Sequence, residues 1–219
     1  MSIFHRAYRR VNSICSCLDE FVIERQLRRL GVGHAHRIST HTTPLELHTL
    51  FRLAQGCPPN AAVLEIGSYL GASTCYIAAG IAQRNGKIFC VDTWTNETMQ
   101  EGLRDTYAEF RDNTGAITPW LEVIRKRSEY VVEDDLIVPL HLVFIDGDHS
   151  YASVQSDFQR VSSWLAPNGV VAFHDSRYFP GVSRVIGEAL ATGHWVMLGC
   201  LENLCWIKPA PLSWLATNS

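Results

Sequence analysis

Four apolar runs recur along the chain, and each of them ends in or near an acidic residue. The runs and their acids are 63–65 with Glu65, 87–92 with Asp92, 142–146 with Asp146, and 169–175 with Asp175. Continuous apolar runs separated by helical stretches are typical of strands in a parallel sheet that is covered on both faces. The pattern therefore predicts a doubly wound α/β fold.

Other elements follow from shorter signals. The Thr43–Pro44 pair predicts a helix through about Gln55, with a threonine N-cap and proline in the first turn. A further strand is expected at 121–124, and an antiparallel pair at 194–199 and 204–208. Residues 1–42 form a helical N-terminal extension that acts as a cap, a lid or a subunit contact. Residues 43–219 form the main domain.

The first apolar run leads into a turn with two glycines, Gly67 and Gly71, and then into small residues that open a helix. This geometry points backbone N–H groups and a helix N-terminus at the polar end of a ligand. The dinucleotide fingerprint would place a glycine where this chain has Glu65. An acid there would repel a pyrophosphate but suits a ligand with an ammonium and a sulfonium. The loop therefore favours S-adenosylmethionine (SAM).

All four acids are expected at one edge of the sheet. In open parallel sheets ligands bind outside the carboxyl ends of the strands. A single acid after a strand is explained by turn chemistry, because aspartate often opens a turn. Four in succession favour a shared binding crevice.

These motifs resemble those of class I SAM-dependent methyltransferases. The chain looks most like the small O-methyltransferases, a group with catechol, caffeoyl-CoA and sugar methyltransferases, and a bacterial set with the motif at 144–151 (Phe-Ile-Asp-Gly-Asp-His-Ser-Tyr). The resemblance covers residues 43–208, and residues 64–73 match the group's first motif. It implies a Rossmann-like, mostly parallel seven-stranded sheet with an antiparallel C-terminal pair.

The resemblance also implies a set of SAM-binding residues: Glu65, Gly67, Ser68, Tyr69, Gly71, Ser73, Asp92, Trp94, Ser128 and Asp146. Ser73 would bond the methionine carboxylate, and Tyr69 would lie along the methionine chain or the sulfonium. Asp92 would accept bonds from both ribose hydroxyls. Trp94 would form a wall beside the adenine or be an ordinary core tryptophan, and Ser128 would lie at the adenine edge.

Catalytic chemistry is expected after the fourth and fifth strands. In catechol-type enzymes a divalent cation activates the hydroxyl, held by an acid after the fourth strand and an acid–amide pair after the fifth. Here Asp146 matches the first position, and His174 and Asp175 replace the acid–amide pair as the candidate ligands. Imidazole with carboxylates suits Mn, Fe or Zn better than Mg. Without a metal, His149 or His174 would be the general base, with Asp146 beside it. In the simplest structural reading, His149 caps the next helix and His174 bonds Asp146.

Composition limits the classes of partner. The chain has 219 residues, 47% of them hydrophobic, and a net charge of −3. This charge argues against nucleic acid as a partner, and no apolar run is long enough to span a membrane. The seven cysteines include no CxxC pair, so buried free thiols in a cytoplasmic protein are expected.

The resemblance implies a hydroxylated small molecule as acceptor: a sugar, a phenol or a natural-product intermediate. The aromatic residues of 176–183, after the fifth strand, would line its pocket. Two other functions stay open: a SAM-binding relative without catalytic activity, and a nicotinamide-dependent oxidoreductase. Homo-oligomerisation is a further expectation, through an apolar face of the N-terminal helix formed by Phe21, Ile23, Leu27 and Leu30.

Overall fold

A computed structural model describes residues 20–96 and 102–211 of the chain. The described helices are α1 (20–29), α2 (Pro44–Gln55), α3 (Ala72–Ile81), α4 (Tyr107–Thr114), α5 (Tyr151–Trp164) and α6 (Pro180–Ala191). The strands are β1 (Ala62–Ile66), β2 (Lys87–Asp92), β3 (Leu121–Arg125), β4 (Leu140–Ile145), β5 (Leu165–Phe173), β6 (Trp195–Leu201) and β7 (Leu204–Pro209).

The seven strands form one sheet in the order β3-β2-β1-β4-β5-β7-β6. Strands β1 to β5 pair in parallel, whereas β7 is antiparallel to both β5 and β6. This confirms the predicted Rossmann-like sheet and its antiparallel C-terminal pair. The chain order reverses beside β1 and β4, which is where ligands bind in sheets of this kind.

Both faces of the central strands are covered, as the continuous apolar runs predicted, whereas the outer strands β3 and β6 are partly exposed. Alternate residues of β1 point to opposite sides, so Val63 packs with the core of α1 to α4 while Leu64 packs with the core of α5 and α6. Buried side chains on each face exclude water from these central strands, and the polar groups that follow them lie at the carboxyl edge.

The helix starts differ from the predictions at one site. Thr43 caps α2 as predicted, in a capping box with Glu46. The N-cap of α5 is Ser150, whose side chain accepts a hydrogen bond from the Ser153 N–H. The reading of His149 as the cap of that helix was wrong, because a serine hydroxyl is a compact acceptor for this role.

The N-terminal helix is part of the core. Ile23 and Leu27 on α1 are almost fully buried among residues that include α3 side chains, whereas Phe21 is 58% exposed. The face expected to support self-association therefore lacks two of its four residues, because they pack within the chain. Residues 1–19 of the predicted extension lie outside the described residues.

The cysteines correct a second expectation. Cys200 and Cys205 lie opposite each other on β6 and β7 and form a disulfide. The hairpin brings them together, and their spacing in the sequence resembles no common cysteine motif. Cys57, Cys75 and Cys90 are free and buried, as predicted. Cys15 and Cys17 lie outside the described residues.

Within 20–96 and 102–211, no helix is both long and apolar enough to cross a membrane.

Candidate functional site

The loop between β1 and α3 turns at the two predicted glycines. Gly67 and Gly71 have φ angles of 87° and 90°. A Cβ on Gly67 would lie 2.0 Å from the carbonyl oxygen of Asp146, and one on Gly71 would lie 2.6 Å from Cγ2 of Thr114. No residue with a side chain fits either place. The N-cap of α3 is therefore a glycine, which has no side chain to accept a hydrogen bond from the first-turn N–H groups of the helix.

Glu65, near the end of β1, faces this loop and is completely buried. Its carboxylate accepts hydrogen bonds from the hydroxyls of Ser68 (2.8 Å), Ser73 (2.6 Å) and Thr74. Burial raises the pKa of Glu65 to about 7. The three hydroxyls lower this pKa, and the nearby charge of Asp146 raises it. These three hydrogen bonds fix Glu65 against the loop and α3, and its contact with a ligand stays a prediction. Ser73 is likewise bonded to Glu65 where a methionine carboxylate was expected.

Asp92 holds the other side of the same loop. Its Oδ2 accepts hydrogen bonds from the backbone N–H groups of Ser68 (3.0 Å) and Tyr69 (2.8 Å), and its Oδ1 accepts one from the Trp94 N–H (2.7 Å). Tyr69 takes up a left-handed backbone with φ 45°, and its ring lies 6.4 Å from that of His41. Asp92 is therefore next to the crevice, and its contact with a ribose stays a prediction.

Trp94 is a core residue, which corrects the reading of it as an adenine wall. Its side chain is 1% exposed, its ring packs against Tyr107 and Phe110, and its indole N–H donates to the Tyr69 carbonyl. A left-handed backbone at Trp94, with φ 53°, accompanies this inward orientation.

Ser128 follows β3 as predicted, but its partners belong to α5. Its carbonyl accepts a hydrogen bond from Arg160 at 2.7 Å, and its hydroxyl lies near enough to Asp157 to affect the pKa of that carboxyl. Burial raises the pKa of Asp157 to about 6, against the lowering effect of that hydroxyl. A contact between Ser128 and adenine stays a prediction.

Four titratable side chains meet where β4 and β5 end. Nε2 of His149 lies 3.1 Å from Oδ2 of Asp175 and 3.7 Å from Oδ1 of Asp146. Nδ1 of His174 lies 3.1 Å from the same Asp146 oxygen and 3.5 Å from the same Asp175 oxygen. The structure therefore brings together all four residues that the sequence analysis named for catalysis and metal binding.

His174 differs in environment from His149. It is 1% exposed, and its Nε2 lies 3.3 Å from Oε2 of the buried Glu46. Burial lowers the pKa of His174, but the carboxylates of Asp146 and Asp175 outweigh it and raise that pKa to about 11. The reciprocal attraction outweighs burial at Asp146 and lowers the pKa of its carboxyl. His174 therefore lies between three carboxylates, and its roles as a metal ligand or a base stay predictions.

The group able to hold a metal ion is Asp146, His149 and Asp175, which are half-buried and offer ligand atoms within 4.8 Å of one another. In the part of the chain that the structure describes, Nε2 of His149 and Nδ1 of His174 are both buried without a hydrogen-bond partner, so either atom has room for a further ligand. Two carboxylates and an imidazole suit Mn, Fe or Zn. These residues thus fit a divalent cation, with His149 in the place predicted for His174.

Aromatic side chains border this group. The ring of Phe179 stacks on that of His149 with centroids 4.3 Å apart, and Phe179 is 41% exposed. Tyr178 beside it is 70% exposed. The segment after β5 therefore lies beside the titratable group, as the sequence analysis expected for a pocket that receives an acceptor.

Sequence reasoning missed two residues of the site, Glu46 and Asn203. The Asn203 N–H donates to Oε1 of Glu46 at 2.7 Å. The capping box that starts at Thr43 was a readable signal for Glu46, but it indicates a helix start and not a contact with His174. Asn203 had no signal, because only the sheet order brings the β6–β7 turn to this place.

Comparison with known proteins identifies related sequences. A family model described as a methyltransferase domain matches residues 64–176. An uncharacterized protein R132 of Acanthamoeba polyphaga mimivirus is 21% identical over 174 residues, which is 74% of this chain and 78% of the relative. The uncharacterized protein y4gI of Sinorhizobium fredii is 25% identical over 117 residues, or 52% of this chain. The match covers only 13% of the length of y4gI.

Solved structures share the fold. The O-methyltransferase NovP has a TM-score of 0.61 and 13% identity, covering 75% of this chain and 79% of its own. An O-methyltransferase from Bacillus cereus in complex with SAH has a TM-score of 0.59 and 17% identity, covering 88% and 97%. An rRNA methylase from Streptococcus thermophilus has a TM-score of 0.54 and 11% identity, covering 79% and 100%.

Proposed function

The chain belongs to the family of methyltransferase domains, and we propose that it transfers the methyl group of SAM to a hydroxyl group of a small molecule. The observation that supports this most is the contact between two loops, at Gly67 and Asp146. It sets the candidate SAM loop directly beside the titratable group after β4 and β5.

The reaction sets clear demands on this group. The acceptor oxygen forms a bond to the methyl carbon, the carbon–sulfur bond breaks, and sulfur keeps the electron pair. The hydroxyl proton must pass to a base before or during this transfer. Asp146, His149 and Asp175 would hold a divalent cation, which when bound lowers the pKa of the hydroxyl. In a metal-free site, His149 is the side chain placed to accept the proton, with the Asp175 carboxylate 3.1 Å from its Nε2 to stabilise the imidazolium that forms.

Two observations favour a small hydroxylated acceptor. The exposed rings of Tyr178 and Phe179 offer flat apolar surface beside His149. The net charge of −3 does not suit a nucleic acid. The O-methyltransferases of this fold support oxygen as the acceptor atom, whereas the rRNA methylase supports a nucleic acid.

Calorimetry with SAM, SAH and NAD tests the donor. We expect binding of SAM and SAH and none of NAD; NAD binding without SAM binding would favour an oxidoreductase. Transfer of radioactive methyl from SAM, to panels of sugars, phenols and ribosomal RNA, then tests the acceptor. The same assay with a chelator and with added Mn²⁺ separates metal assistance from general-base catalysis by His149. Binding of SAM without transfer in any panel would favour a non-catalytic relative.

A further inference from the structure

We propose that Glu46 is a positioning residue of this site, which holds the ring of His174 and through it fixes the carboxylate of Asp146. The effect of Glu46 on metal binding rests on the proposed function, whereas its contact with His174 does not. No sequence motif or relative assigns this role to a residue of α2.

The contacts of Glu46 join three parts of the chain. Oε2 accepts a hydrogen bond from the Thr43 N–H at 2.8 Å and lies 3.3 Å from Nε2 of His174. Oε1 accepts a hydrogen bond from the Asn203 N–H at 2.7 Å. The start of α2, the end of β5 and the β6–β7 turn are therefore linked by one carboxylate.

A capping role explains only part of this arrangement. A glutamate in a capping box needs only to bond the N-cap N–H. Glu46 is 0% exposed and has two partners beyond that N–H. Burying a carboxylate is costly unless it is paired and hydrogen-bonded. The arrangement therefore indicates a role for the charge next to His174.

The position of His174 gives Glu46 its effect on Asp146. The imidazole lies between Oε2 of Glu46 on one side and Oδ1 of Asp146, at 3.1 Å, on the other. Without an acceptor at Nε2 the ring loses the contact that fixes its rotation, and Asp146 loses a fixed neighbour. Groups bonded directly to a metal ligand alter metal affinity by about 10- to 100-fold when changed. Glu46 acts one group further away, through His174, so we expect an effect at the lower end of this range.

The test compares Glu46→Gln with the control Thr43→Ala in the full chain. Glutamine keeps an acceptor for a backbone N–H but removes the charge beside His174. Thr43→Ala weakens the same helix cap without removing the contact of Glu46 with His174. The first readout needs no metal: the ring N–H and N resonances of ¹⁵N-labelled histidine, with His174 assigned from a His174→Gln variant. The second is Mn²⁺ affinity by electron paramagnetic resonance.

We expect Glu46→Gln to shift or broaden the His174 resonances and weaken Mn²⁺ binding about tenfold. Thr43→Ala should lower the melting temperature and change neither readout. Unchanged resonances in Glu46→Gln, or equal changes in both variants, would overturn the proposal. Altered His174 resonances in Glu46→Gln with wild-type Mn²⁺ affinity would also overturn it.

If the wild-type protein binds no Mn²⁺, the metal-assisted part of the proposed function fails. The His174 resonances alone then test whether Glu46 fixes the orientation of the His174 ring. If Glu46→Gln does not fold, Glu46→Asp serves with the same readouts. It keeps the charge and moves the carboxylate one methylene away from His174, so the same loss of ring order is expected.

Discussion

The backbone of Gly67 passes so close to Asp146 that a Cβ on Gly67 would lie 2.0 Å from the Asp146 carbonyl oxygen. This contact joins the loop after β1 to the loop after β4. The candidate SAM loop and the titratable group therefore share one wall, and a change in either loop is expected to move the other.

Gly67→Ala should abolish SAM binding and lower the free energy of unfolding by about 3 kcal/mol or more, because it adds both an atomic overlap and a left-handed alanine. Gly187→Ala is the matched control. Gly187 lies inside α6 with no atom near its Cβ position, so alanine should stabilise the protein by about 0.5–1 kcal/mol. Urea unfolding and SAM calorimetry measure both variants. Wild-type SAM affinity in Gly67→Ala would contradict the placement of the loop.

Stability should depend on pH through Glu65. The pKa of its buried carboxyl is raised from the ordinary value of 4.5 to about 7, so between these values the folded protein holds a proton that the unfolded chain releases. The free energy of unfolding should therefore fall as pH rises from about 4.5 to 7, by about 3 kcal/mol from this group.

Glu65→Gln should remove this dependence, since glutamine does not ionise. Urea unfolding at pH 4.5, 6 and 8 measures the difference between wild type and variant. Glu133→Gln, at an exposed carboxylate, should follow the wild-type curve. A Glu65→Gln curve parallel to that of the wild type would contradict the raised pKa.

His149→Ala should weaken Mn²⁺ binding at least about tenfold, because it removes one of three ligand groups. It should also reduce methyl transfer, whether His149 binds the metal or accepts the proton. His194→Ala, at an exposed histidine outside the site, is the control. Full methyl transfer by His149→Ala, with and without chelator, would exclude both roles.

Reducing the Cys200–Cys205 disulfide should lower the free energy of unfolding by about 2 kcal/mol, because the bond closes a short loop of the unfolded chain. Urea unfolding with and without dithiothreitol measures this difference. The double variant Cys200→Ser/Cys205→Ser should be insensitive to the reductant. Alkylation and mass spectrometry of the denatured protein should find both cysteines unmodified until reduction; alkylation before reduction would show that the thiols are free.

Much of the fold was accessible from local patterns. The apolar runs predicted β1, β2, β4 and β5 because strands covered on both faces need apolar side chains at every position. Thr43 and Pro44 marked the start of α2 because capping depends on neighbouring residues. The positions of Asp146, His149, His174 and Asp175 followed from one rule, that parallel strands place their carboxyl ends at one edge.

The sequence by itself determined that Asp146, His149, His174 and Asp175 meet at one edge of the sheet; only the tertiary structure decided their partners and added Glu46 and Asn203. Trp94 is buried in the core, Glu65 bonds the hydroxyls around it, and His174 lies beside Glu46, because burial and partners depend on distant segments. The pairing of Cys200 with Cys205 depended likewise on strand register. Local spacing encodes periodicity and caps, whereas contacts between remote elements arise only when the sheet order sets those elements side by side.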